Sequence, residues 1–200
     1  LDLDLIATDI AAGHVNVQEG FIDQELVHSL RAEALQLWSE GAFDAARVGI
    51  GDAMHLAPTV RRDWTHWLDL TELTSAQRDV AERLEALRVA INQQTFMGLF
   101  EWEGHFALYP PGSFYKRHVD VFRNHRSRLV TFILYLNPGW KMGDGGELRV
   151  YENGADASQF QDIAPLGGTL VTFLSEQVHH EVLTSQTDRL TWTGWYRIRD

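Results

Sequence analysis

His118-Val119-Asp120 sets an imidazole and a carboxylate two residues apart. On a strand or strand end that spacing points both side chains to one face while Val119 turns away. Alone, such a pair reads first as a surface or hydrogen-bonded histidine. Its weight comes from a second feature about sixty residues on, His179-His180-Glu181-Val182. One imidazole of that pair completes two nitrogens and one carboxylate, a facial set that leaves three adjacent positions on an iron ion open. Magnesium and calcium, which prefer oxygen ligands, suit two imidazoles poorly. The 200 residues contain no cysteine, so a disulfide scaffold, a zinc ribbon, an iron–sulfur site and a thiol nucleophile are excluded together. Ser175, the other nucleophile near a histidine, lacks a nucleophile-elbow context.

Arg189 follows in the strongly alternating run Arg189-Leu190-Thr191-Trp192-Thr193-Gly194-Trp195-Tyr196. Period-2 geometry puts Arg189, Thr191 and Thr193 on one face and Leu190, Trp192 and Tyr196 on the other. An arginine facing into a barrel is costly unless it meets an anion, so Arg189 calls for a carboxylate. The same arithmetic places Thr131, Ile133 and Tyr135 on one face of their strand.

These residues need a rigid scaffold. Beyond about residue 103 the sequence changes to short apolar or alternating runs separated by Gly, Pro and Asn, which predicts strands over 105–109, 115–121, 128–136, 146–151, 160–163, 169–173, 180–183 and 189–198. Strands of this number and length suggest a barrel-like double sheet or jelly roll. Before them, Asp23 caps a helix over about 24–40 that Gly41 closes, and a longer helix begins after Thr74 or Ser75 and runs to about Gly98. Between the helices, residues 43–48 and 60–68 read as a hairpin, with Gly49 to Pro58 as a movable tip and Trp64 and Trp67 as an aromatic floor. With 44% apolar residues and no linker or repeat, the chain reads as one domain over 1–200, helical support and hairpin about 1–102 and the β core about 103–200.

Charge narrows the partners. The net charge of -11 argues against nucleic acid, and the absence of a long apolar run argues against a membrane span or secretory signal, which makes a cytoplasmic enzyme the plain expectation. Acidity sits mainly in residues 1–100, with 16 acidic and 7 basic groups against 12 and 10 in the remainder. Lys116, Arg117, Arg123, Arg126 and Arg128 surround the single acid Asp120, a local field that favours an anionic ligand where it is more than a solvated loop. His14, His28, His55, His66, His105 and His125 have no partner at ligand spacing and read as surface or core histidines. Gly145-Gly146 reads as a turn into a strand.

The array H-x-D, then His, then Arg nine residues later resembles the iron(II) and 2-oxoglutarate dependent dioxygenases. Tyr109-Pro110-Pro111-Gly112, Phe114 through Asp120, Leu129 through Asn137, Gly145 through Arg149, His180-Glu181-Val182 and Trp195-Tyr196 are similar in order and spacing to the hypoxia-inducible-factor prolyl hydroxylases and their bacterial relatives. The motifs cover about residues 105–197. The resemblance implies an α+β, mainly β chain, a double-stranded β-helix with supporting N-terminal helices. It implies Fe(II) on His118, Asp120 and His180, the latter preferred to His179 because it directly precedes Glu-Val. It implies 2-oxoglutarate on Arg189, with Tyr135 and Thr193 as hydroxyl partners and Tyr109 and Ile133 beside it. Tyr115, Trp195, Arg128 and Trp64 become candidates for the substrate, O2 the second co-substrate and ascorbate a reductant. The expected reaction is C4 hydroxylation of a prolyl residue in a protein, a translation factor being the first candidate. The compact, apolar tip at Gly49 to Pro58 departs from the family's longer polar finger and leaves the substrate's identity open. Rival readings are a dioxygenase of the same fold acting on a free amino acid or small molecule, a nucleic-acid demethylase, and an iron-binding or oxygen-sensing module without turnover.

Overall fold

A computed structural model of the chain describes residues 2–49, 54–120, 127–151 and 156–199. His125, Arg123, Arg126 and residues 50–53 of the hairpin tip lie outside them. Three helices, α1 (Leu3–Ala11), α2 (Gln24–Ser39) and α3 (Ser75–Thr95), flank a scaffold of β1 (Asn16–Gln18), β2 (Asp44–Ala45), β3 (Trp64–Trp67), β4 (Glu101–Tyr109), β5 (Tyr115–His118), β6 (Arg128–Tyr135), β7 (Leu148–Tyr151), β8 (Phe160–Ile163), β9 (Leu170–Leu174), β10 (His179–Val182) and β11 (Arg189–Arg197).

Local chemistry sets the helix ends. Asp23 accepts a hydrogen bond from Leu26 N–H at the start of α2. Gly41, at φ +76°, ends it in a Schellman arrangement, with Gly41 N–H bonded to Trp38 and Ala42 N–H to Leu37. Thr74 and Gln77 form a capping box that fixes Ser75 as the first residue of α3. This helix stops at Thr95, short of Gly98, because Phe96 turns left-handed and the Asn92 side chain pairs with both backbone groups of Leu99. Two elements were not expected: α1, which buries Ile6, Ala7 and Ile10, and the edge strand β1, which pairs with β9. Strand β5 ends at His118, so Asp120 projects from the loop that follows.

The strands form two antiparallel sheets, a seven-stranded one ordered β1-β9-β6-β11-β4-β3-β2 and a four-stranded one ordered β5-β10-β7-β8. Alternation assigns the two faces of the larger sheet. Phe106, Leu108, Val130, Phe132, Leu134, Leu190, Trp192 and Tyr196 pack with Leu30, Leu84, Leu87 and Ile91 of the helices. Ala107, Tyr109, Ile133, Tyr135, Val171 and Phe173 instead face Leu148, Val150 and Val182 of the smaller sheet. The result is a jelly roll whose space between the sheets holds the site. No helix among the described residues is long and apolar enough to cross a membrane.

Candidate functional site

A cavity of about 630 Å³ opens between the sheets, lined by His118, Asp120, His180, Arg189, Tyr109, Tyr115, Ile133, Thr193, Trp195 and Arg128 among others. Antiparallel pairing of β5 with β10 sets His180 directly opposite His118. His118 Nε2 lies 3.3 Å and His180 Nε2 3.7 Å from Asp120 Oδ1. One ligand atom from each of the three residues lies within 4.8 Å of the others.

What surrounds these donors aims them. His118 Nδ1 is 2.8 Å from the Lys116 carbonyl and His180 Nδ1 is 3.0 Å from the Val178 carbonyl. A carbonyl only accepts, so both rings carry their proton on Nδ1 and turn the Nε2 lone pair toward Asp120. Asp120 Oδ2 accepts from Thr131 Oγ1 at 2.8 Å and from Trp195 Nε1 at 3.1 Å, which leaves Oδ1 toward the histidines. Thr131 is itself bonded to the buried Ser175 hydroxyl. Burial works against the Asp120 charge, yet the nearby His180 and His118 and the hydroxyl bond from Thr131 hold its carboxyl far below the usual range. Burial and the neighbouring His118 bring His180 down to about 4, so its ring is neutral near pH 7 and free to ligate. Two imidazoles with Nε2 turned inward and one single-oxygen carboxylate, each with its other polar atom bonded elsewhere, fit a facial iron site.

At the other end of the cavity stands Arg189, 2% exposed. Its Nε donates to the Gly146 carbonyl at 2.7 Å, and its guanidinium lies 4.8 Å from the Tyr109 ring and 5.3 Å from the Tyr135 ring. Gly146, at φ +75°, is required here, because a Cβ would come within 2.7 Å of Arg189 Cδ. Arg189 Nη2 and Tyr135 Oη are both enclosed and have no hydrogen-bond partner. No carboxylate of the chain answers this buried charge in an ion pair among the described residues, which is the arrangement expected where an anionic ligand completes the site. Burial pushes the Tyr135 phenol up to about 12.

The remaining candidates divide by face. Tyr109, Ile133 and Thr193 line the cavity, Thr193 two inward positions nearer the mouth than Arg189 and bonded to Thr191 Oγ1. Tyr115 stacks on His118 with centroids 3.6 Å apart, and Arg128 lies 3.8 Å over Trp195 while bonding Glu103. Trp64 is a correction: it pairs with Leu108 and packs on Trp38, on the helix side of the sheet. Residues three apart on a strand face opposite ways, so only Trp67 reaches the cavity. His179 turns away from the triad because its neighbour His180 faces inward.

Sequence reasoning missed three features. Thr131 shares a face with Ile133 and Tyr135, but its bond to Asp120 follows from the loop after β5. Arg61 and the buried Asp63 form a two-bond pair, at 2.7 and 2.5 Å, with Arg61 4.1 Å over the Tyr115 ring; an R-x-D spacing on an extended segment was the available signal. His105 lines the cavity and is 5% exposed.

Comparison with known proteins agrees with this geometry. Residues 104–197 match the 2OG-Fe(II) oxygenase superfamily. The structure of a Pseudomonas putida prolyl-4-hydroxylase is similar over 100% of both chains, at 39% identity and TM-score 0.88. A Trichoplax adhaerens prolyl hydroxylase, solved in complex with a peptide fragment of the hypoxia-inducible-factor oxygen degradation domain, matches 98% of this chain and 90% of its own, at 22% identity and TM-score 0.85. Full-length identity at that level, with the triad and buried arginine at the two ends of one cavity, leads to one conclusion: the chain belongs to the 2OG-Fe(II) oxygenase superfamily.

Proposed function

We propose that the protein, acting as one domain over residues 1–200, hydroxylates a prolyl residue of a polypeptide at C4, coupled to conversion of 2-oxoglutarate and O2 to succinate and CO2. The observation that carries the cofactor chemistry is the cavity itself, with His118, Asp120 and His180 aimed at one point and an unanswered buried Arg189 beyond them. The prolyl substrate is supported by full-length similarity to a chain described as a prolyl-4-hydroxylase. Iron held by the three residues supplies the oxidising chemistry. Arg189 and Tyr135 hold the far carboxylate of 2-oxoglutarate by charge-assisted hydrogen bonds, with Tyr109 and Ile133 as walls. Thr131 and Trp195 occupy Asp120 Oδ2, so Oδ1 is the oxygen that would be offered to the metal. Tyr115, Arg128, Trp195 and Trp67 frame the mouth where a peptide enters, and an open mouth with exposed Trp67, Met54 and Leu56 suits a polypeptide better than a free amino acid.

The test is incubation of the iron-loaded protein with 2-oxoglutarate and host extract, followed by peptide mass spectrometry. Expected is a proline gaining the mass of one oxygen in step with succinate release. Brisk turnover of free proline with no hydroxylated protein would overturn the polypeptide substrate, and succinate without any hydroxylated proline would overturn the prolyl assignment.

A further inference from the structure

His105 is a buried polar residue on the larger sheet. It sits on the inward face of β4, directly across from Thr193 of β11 and Trp67 of β3. Its ring forms a cluster with two indoles, with centroids 4.8 Å from Trp67 and 5.5 Å from Trp195, which are 6.1 Å from each other. Trp195 in turn donates to Asp120, so His105 stands beside the group that holds the metal carboxylate without belonging to the triad. Its Nδ1 is enclosed and has no hydrogen-bond partner. Nε2 is not among the enclosed, unpartnered atoms, and His105 lines the cavity, so Nε2 is the nitrogen left to reach it.

The tautomer follows from that burial. A proton on Nδ1 would be a buried donor with no acceptor, and orphaned buried N–H groups are rarer than under-satisfied acceptors. The proton therefore sits on Nε2, and the ring offers a donor to the cavity. Burial, with Arg61 and Arg128 nearby, lowers the ring to about 3, so it is neutral under working conditions. A neutral N–H donor selects an oxygen acceptor.

Which oxygen is decided by position. The three ligands come from the smaller sheet and the loop after β5, and Ile133, Thr193 and His105 of the larger sheet form a wall of the same cavity. Arg189 lies at one end of this wall, two inward positions from Thr193. A five-carbon diacid anchored on Arg189 brings its other carboxylate toward His105 and Thr193. Resting on the co-substrate reading above, we propose that His105 is a further 2-oxoglutarate-binding residue, donating Nε2–H to the metal-side carboxylate opposite the one held by Arg189. His105 thereby gives this protein a polar contact at each end of the co-substrate.

The test uses the full chain loaded with Zn(II), which binds without turnover, titrated with 2-oxoglutarate by calorimetry. His105→Met, similar in volume and without a donor, is expected to weaken binding roughly 10-fold, and His105→Gln, which restores an N–H donor, to recover most of it. Zn(II) affinity should be the same in all three proteins. Long-range proton–nitrogen spectra of histidine-labelled wild type give a readout that needs no variant: Nε2–H before ligand, with its proton moving downfield on adding 2-oxoglutarate. Equal affinities for wild type and His105→Met, equal weakening in the Met and Gln variants, or an Nδ1–H tautomer would each overturn the proposal. A wild type that binds Zn(II) but shows no affinity for 2-oxoglutarate fails the co-substrate reading itself, before His105 enters.

Discussion

The two ends of the cavity are built on opposite principles. At the triad each polar side-chain atom not facing the metal position is hydrogen-bonded: His118 and His180 to carbonyls of their own chain segments, and Asp120 Oδ2 to Thr131 and Trp195. At the arginine end, Arg189 Nη2 and Tyr135 Oη are enclosed without partners. Donors for a metal must be aimed beforehand, since a loose ligand loses affinity to every alternative rotamer. An anion site works the other way, because desolvated, unanswered donors gain most when a carboxylate arrives. The triad end should therefore survive small changes nearby and fail completely on loss of a ligand, whereas the arginine end should weaken in graded steps.

The largest effect tests the first half of that contrast. His118→Ala, Asp120→Ala and His180→Ala should each lower Fe(II) affinity by at least about 100-fold in metal titrations, since losing only a hydrogen bond that orients a ligand can cost up to about 100-fold. His179→Ala should bind normally. An empty His179→Ala with a loaded His180→Ala would move the ligand register by one residue.

Next comes the arginine. Arg189→Ala should weaken 2-oxoglutarate about 10-fold to 150-fold while leaving Fe(II) binding nearly intact, because it removes charge-assisted bonds and no metal ligand. Loss of iron along with the co-substrate would show the two ends to be one unit, and the comparison would collapse.

This contrast was half legible in the sequence. H-x-D, the His-His pair and the face shared by Arg189 and Thr193 are local spacings on strands, and strands transmit spacing faithfully. Trp64 shows the limit: aromatic character drew it into the mouth, although a period of two sends Trp64 and Trp67 to opposite faces. The Thr131–Asp120 bond and the enclosure of His105 depend on how β6, β11 and the loop after β5 meet, which no single segment encodes. Helix α1 was legible and overlooked, since Leu3, Ile6, Ala7 and Ile10 keep helical spacing behind Asp2.

Acid compares the ends through stability. His180 and His105 are buried neutral, with values near 4 and 3 against about 6.5 in an unfolded chain. Below pH 6.5 the unfolded state takes up protons that the folded state refuses, so stability is full above about pH 6.5 and is lost as pH falls toward 4. By pH 5 the loss is about 2 kcal/mol for each ring. Thermal melts of the metal-free protein should fall steadily from pH 7 to 5, and His105→Met should flatten part of that slope. A melting temperature unchanged over this range would mean that these rings are already charged in the fold.

A smaller change sharpens the triad side. Thr131→Val frees one bond to Asp120 Oδ2 while Trp195 keeps the other, so Fe(II) affinity should drop by about 10-fold, without loss of the fold. A drop as large as that of Asp120→Ala would make Thr131 indispensable to the carboxylate's position.

The smallest effect is the most diagnostic, because the two readouts should move in opposite directions. Tyr135 Oη is buried with no partner in the ligand-free protein, so its hydroxyl carries a desolvation cost that the fold bears without return. Removing it in Tyr135→Phe keeps the ring against Arg189 and deletes only that cost, so the free protein should gain up to about 1 kcal/mol and melt slightly higher. With 2-oxoglutarate bound, the same hydroxyl becomes a donor to a carboxylate that shares the Arg189 guanidinium. Its loss should weaken binding by about 5-fold, less than Arg189→Ala because a neutral donor contributes less than a charged one. A residue that merely packs would lose stability and affinity together. One that waits for an anion gives up affinity and gains stability, and calorimetric melting beside a 2-oxoglutarate titration separates the two cases on a single variant.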